Sequence, residues 1–101
     1  MGFSAGINYK FKARPWKFEG KGGWYFVSLP LSMSREIRSL LKQEEQGWGR
    51  LKASAKIGNT TWQSAIWFDT KHIAYLLPLK AEIRKKEKVE AGKSLEVLIS
   101  L

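Results

Sequence analysis

The 101-residue sequence contains no cysteine. That excludes disulfide staples, thiolate metal sites and a cysteine nucleophile, and it fits a reducing compartment. There is one histidine, His72, and one aspartate, Asp69. A structural zinc site needs about four soft or imidazole ligands, so neither a metal nor a cofactor is expected. Asp69 and His72 sit together at a turn, and nothing places a serine on a strained elbow, so a Ser-His-Asp triad is not expected. Glu44 and Glu45 are neighbours on a helix end, and adjacent helical residues do not face each other. With these constellations missing, an enzyme is not expected. Long apolar runs are missing too. Met1 to Ala13 alternates polar and apolar residues instead of carrying the apolar block of a signal peptide. A soluble cytoplasmic protein with no membrane partner is the expectation.

Acidic residues are scarce: 9 against 18 basic ones, for a formal charge of +9. Such an excess favours phosphate-rich polymers or anionic ligands. The plainer alternative is a solvated surface that only keeps the domain soluble.

Apolar residues are plentiful. They make up 44% of the chain and include five Trp, five Phe and three Tyr. This is enough for one packed core, and residues 1–101 are read as a single domain. Ile7, Tyr9, Phe11 and Ala13 alternate with polar residues, as do Leu51, Ala53, Ala55 and Ile57, and Leu95, Val97, Ile99 and Leu101. A period of two marks half-buried strands. Trp16–Glu19 forms a short strand before the Gly20–Gly23 turn, and Trp24–Leu29 reads as a central strand covered on both faces. Thr60–Phe68 pairs back across Gly58-Asn59, and His72–Leu77 is a further strand. Met33, Ile37, Leu40 and Leu41 make one helical stripe. Ser32 or Ser34 is expected to cap that helix and Gly47 to end it. Lys80–Lys86 forms a shorter helix. The expected fold is mainly β: a small closed or partly open barrel of six or seven strands with one longer and one short helix.

The chain also echoes itself. Leu29-Pro30-Leu31 precedes a helix carrying Ile37-Arg38, and Leu77-Pro78-Leu79 precedes one carrying Ile83-Arg84. In each, proline halts a strand and a helix lays isoleucine on the barrel with arginine outward. Two halves related by an approximate two-fold are expected.

Gly23–Pro30, Tyr75–Lys80, Ile83-Arg84-Lys85 and Gly92 in a last turn resemble the small bacterial domain-of-unknown-function family numbered 1905, from about Ile7 to Leu101. The resemblance implies a compact β-barrel with helical caps and brings no established activity. Residues 77–99 also resemble the repeat of swapped-hairpin DNA-binding regulators of the AbrB/MazE type, without the Asp of their Gly-Asp turn. In those regulators two chains supply two halves of a barrel. Here one chain holds both, so a monomer is expected.

The candidate site residues are basic and aromatic. Arg84, Lys85, Lys86 and Lys88 concentrate charge; Lys80 and Arg84 share a helix face; Arg38 is their counterpart in the first half. Such residues suit phosphate contacts. Trp48, Trp62 and Trp67 lie near Arg50, Lys52 and Lys56, an interleaving that suits stacking on single-stranded bases, although tryptophan in a small barrel also fills the core. Trp62 and Trp67 fall on opposite faces of one strand, so at least one faces outward. Gly20-Lys21-Gly22-Gly23 leads into a strand and not a helix, which reads as a hairpin turn and not a phosphate loop. The expectation is a non-enzymatic binding module whose ligand or partner the residues do not name. The alternative is a DNA- or RNA-binding domain using Arg38, Lys80, Arg84, Lys85, Trp62 and Trp67.

Overall fold

The computed structural model describes residues 6–45 and 49–101. They form a seven-stranded antiparallel sheet curled into a half-barrel. Its strands are β1 (Asn8–Ala13), β2 (Trp16–Lys17), β3 (Tyr25–Ser28), β4 (Arg50–Ile57), β5 (Thr60–Asp69), β6 (Ala74–Pro78) and β7 (Leu95–Ser100). The spatial order is β1-β7-β4-β5-β6-β3-β2. The outermost strands are consecutive in the chain, separated only by Arg14-Pro15. Three trans peptides span at most about 11 Å, so the two ends of the sheet approach each other at that corner. Pro15 has no N–H to offer a ladder, and its carbonyl accepts a bond from Gly92 N instead (2.9 Å).

The alternation in the sequence has the expected cause. On β4, Leu51, Ala53, Ala55 and Ile57 are buried, while Arg50, Lys52 and Lys56 are exposed. Gly58, at φ +58, lets the β4–β5 hairpin close in two residues. The interior is filled by Val27, Leu29, Ile66, Tyr75, Leu77, Val97 and Ile99, all at 2% exposure or less.

Helix α1 (Leu31–Leu41) runs into a 3-10 turn (Lys42–Glu44), and α2 (Ala81–Lys86) is shorter. Two details differ from the sequence reading. The N-cap of α1 is Pro30, with no side-chain cap. Ser34 is fully buried inside the helix, and its Oγ accepts a hydrogen bond from Tyr75 N (3.0 Å). The helix thus uses its serine to dock on β6. Leu40 is 59% exposed. At 100° per residue the buried line runs through Ser34, Ile37 and Leu41, and Leu40 falls on its edge. The expected stop at Gly47 lies outside the described residues, as does Trp48. Among the described residues no helix is long and apolar enough to cross a membrane.

The halves are exchanged. The two Leu-Pro strands, β3 and β6, pair with each other, and so do the strands that follow each helix, β4 and β7. Ser28 stands opposite Leu76, its counterpart 48 residues on, so the approximate two-fold passes through that pair. Helix α1 docks on β6 through Ser34. Across the axis, Leu79 N bonds Tyr25 O of β3 (2.8 Å) at the entrance to α2. Each helix therefore leans on the other half's strand.

Candidate nucleic-acid interface

An aromatic cluster covers the outer face of the sheet around β3. Phe26, only 7% exposed, is its hub. Its ring lies 5.2 Å from Trp16, 6.1 Å from Trp24, 6.3 Å from Trp67 and 6.4 Å from Phe18, between centroids. These separations are those of favourable aromatic pairs. Trp16 is fixed by its indole N–H, which donates to Ser28 Oγ (2.9 Å). Trp24 stacks on Phe26 with planes 10° apart and meets Trp67 at 6.2 Å. Both stay open to solvent, Trp24 at 48% and Trp67 at 36%. The β2–β3 hairpin needs glycine to hold this geometry. Gly22 has φ +102, and a Cβ there would lie 2.8 Å from Trp24 Nε1.

Beside these two rings runs an open groove of about 720 Å³. Its lining includes Trp24 and Trp67, Arg50 and Lys52 from β4, and Lys80 and Arg84 at α2. Among the described residues no aspartate or glutamate lines it. Strand register explains the meeting: Arg50 stands opposite Trp67, and Lys52 opposite Ala65, all on the outward face. Arg84 is held by two contacts. Its guanidinium lies 4.0 Å from the centre of the Tyr25 ring, and its Nε donates to Leu79 O (3.2 Å). Among the ion pairs of the described residues, none involves Arg50, Lys52, Lys80 or Arg84. Four cations thus face one cavity without internal neutralisation.

The six candidate residues separate. Trp67, Lys80 and Arg84 come together in the groove. Lys85 is exposed on α2 and does not line it. Trp62 requires a correction: it is 9% exposed and belongs to the core. It stands opposite Ala55, in the inward phase of β4. Arg38 lies in the other half. Its guanidinium covers the Phe68 ring at 3.7 Å and pairs with Glu45 (3.5 Å), whose carboxylate also accepts the Tyr75 hydroxyl. Burial, then the nearby Glu45, push the Tyr75 phenol well above its ordinary pKa. Arg50 and Lys52, singled out in the sequence for their interleaving with tryptophan, join the groove as well, and Trp24 is a site residue that the sequence alone does not point to. The signal for Arg50 was present in its hairpin register with Trp67; Trp24 joins only through the β3–β6–β5 adjacency, which is non-local.

The fold and this surface define a class: a small β half-barrel domain with a basic groove lined by tryptophan. Within it the chain belongs to the family described as Domain of unknown function (DUF1905), whose model matches residues 11–99. None of the curated proteins compared with the chain matches it.

Proposed function

We propose that this domain is a non-enzymatic binding module of the bacterial cytoplasm, acting as a monomer, and that its ligand is single-stranded nucleic acid lying in the Trp24–Trp67 groove. The observation that carries the reading is the pairing of two solvent-open indoles with four unneutralised cations in a groove that, among the described residues, no carboxylate lines. Cations track a phosphate backbone, and the rings offer stacking faces that every base can use. A duplex keeps its base faces stacked on one another, so the rings favour a single strand.

Titration with oligothymidylate, followed by tryptophan fluorescence and anisotropy over a range of KCl, tests this. Expected are quenching on binding and an affinity whose logarithm falls linearly with log salt, with a slope of about −0.7 per phosphate neutralised. Absence of binding at low salt, a salt-independent affinity, or tighter binding to duplex of the same length would overturn it.

A further inference from the structure

The half built on α1 carries a second cleft, of about 410 Å³, which the proposed function does not use. Its volume is in the range of small-molecule sites, about 300–1,000 Å³. Leu31, Arg35, Arg38 and Lys42 line it from α1 and its 3-10 turn, and Phe68, His72 and Ile73 from the end of β5 and the turn after it; among the described residues no carboxylate lines it. The three cations follow from helix geometry, since positions i, i+3 and i+7 share a face. Arg35 and Lys42 are exposed and enter no ion pair among the described residues. Arg38 is only partly neutralised: Glu45 is 3.5 Å away, and its Nη1 is buried without a hydrogen bond.

The apolar lining is held open against ordinary preference. Leu31 is 59% exposed and Ile73 68%. Ile73 also has φ +54, a left-handed conformation that a β-branched residue rarely adopts. The turn before it is pinned. Asp69 Oδ1 accepts the Lys71 N–H (3.1 Å), and Oδ2 lies 2.5 Å from His72 Nδ1. The hydrogen bond with His72 is the main reason that the Asp69 carboxyl is held below its usual pKa, so the carboxylate stays available as anchor. Strain that the surroundings enforce at a cavity rim is a mark of function.

We infer that this cleft is a binding site for a monocarboxylate with an alkyl body: Arg35, Arg38 and Lys42 take the carboxylate, and Leu31, Phe68 and Ile73 cover the chain. Planar guanidinium groups match a carboxylate with paired hydrogen bonds. Three cations, one of them shared with Glu45, leave two uncompensated positive charges for the anionic head. The site does not depend on nucleic-acid binding, because it shares no lining residue with the Trp24–Trp67 groove.

The test is NMR titration of the full chain with octanoate, octanol and acetate, reading the methyl signals of Leu31 and Ile73. Octanoate is expected to move both signals saturably, octanol to bind at least about tenfold more weakly, and acetate to leave the methyls unmoved. The Arg35→Gln/Lys42→Gln double variant, altered only at exposed positions, is expected to lose about tenfold in octanoate affinity and to bind oligothymidylate as before. Ile73→Gly, which removes the strain, is expected to keep the fold and weaken octanoate. Equal binding of octanol would reduce the cleft to bare apolar surface and sink the inference. So would unchanged octanoate affinity in the double variant, or shifts confined to other methyls. Oligothymidylate titration of the same samples separates this outcome from failure of the nucleic-acid reading.

Discussion

Arg38 and Arg84 each follow a buried isoleucine on a helix that leaves a Leu-Pro strand, yet they have different surroundings. Both guanidinium groups cover an aromatic ring, Phe68 at 3.7 Å and Tyr25 at 4.0 Å. Arg38 also has Glu45 beside it, with Tyr75 donating to the same carboxylate. Arg84 has only the Leu79 carbonyl. The difference starts in helix length. α1 has eleven residues and a 3-10 turn that delivers Glu45; α2 stops after six. A repeated scaffold thus fixes where a cation stands, and the presence of an acid decides whether that cation is shared with the fold, as Arg38 is, or left without an acidic partner, as Arg84 is.

The largest effect expected from this contrast is on stability. Glu45→Ala leaves Arg38 and the Tyr75 hydroxyl without their partner in a mostly buried site, where breaking a pair costs about 3 kcal/mol. Arg84→Ala removes ring contact and one hydrogen bond at a half-exposed position and should cost about 1 kcal/mol. Urea unfolding checks both through the midpoint at constant slope. Equal losses would mean that the two arginines are energetically alike and that the acid is incidental.

Next in size is ligand affinity. Trp24→Ala and Trp67→Ala should each weaken oligothymidylate by about 1–3 kcal/mol, the usual worth of one base stacked on one ring. Phe68→Ala, in the α1 half, should leave that affinity unchanged. Loss of affinity in Phe68→Ala alone would move the interface to the other half of the molecule.

Alkaline pH separates the halves in a third way. The Tyr75 phenol is pushed up by burial and then by Glu45. A raised phenol stabilises the fold fully below the unfolded value near 10, and that contribution is lost as pH climbs from there toward the folded value. Stability should therefore fall above about pH 10, and Tyr75→Phe should flatten the decline. A residual slope is expected from Tyr9, which burial and its bond to Glu36 push up to about 12. An alkaline limb unchanged in Tyr75→Phe would show that Tyr75 is not the titrating group.

Much of this arrangement is legible in the residues, and what is not has a physical reason. Alternation on β4 and the two-residue turn at Gly58-Asn59 already imply that Trp62 faces Ala55. Residues directly opposite in an antiparallel pair share a face. Applying that register to Trp62 as well as to Trp67 identifies the first as core and the second as surface. Lys80 and Arg84 are legible as one helix face because their spacing is local. Trp24 is not, because the run Trp24–Leu29 is apolar on both faces. Its outward Phe26 is covered by Trp16, Trp24 and Trp67, drawn from three separate segments. The pairing of β2 with β3 brings Trp16 there, and the pairing of β3 with β6 and of β6 with β5 brings Trp67. Ser34 misled for a related reason: serine at a helix start reads as a cap, while a partner 41 residues away, Tyr75 N, claims it.

The smallest effect expected is also the most specific to the contrast between the two arginines. Replacing Arg84 by Gln keeps a long polar side chain and removes one charge from the groove. If that charge meets a phosphate, the slope of log affinity against log salt should become shallower by about 0.7, the value for one contact on a single strand. Arg38→Gln removes the same charge from the chain as a whole. Net charge changes equally in both, so a general attraction to the basic surface would alter the two slopes alike. A local contact alters one. Measured with the same oligothymidylate, a shallower slope for Arg84→Gln with an unchanged slope for Arg38→Gln assigns the phosphate contact to the arginine that has no acid beside it. Parallel changes would instead reduce the groove to a share of the overall charge of +9.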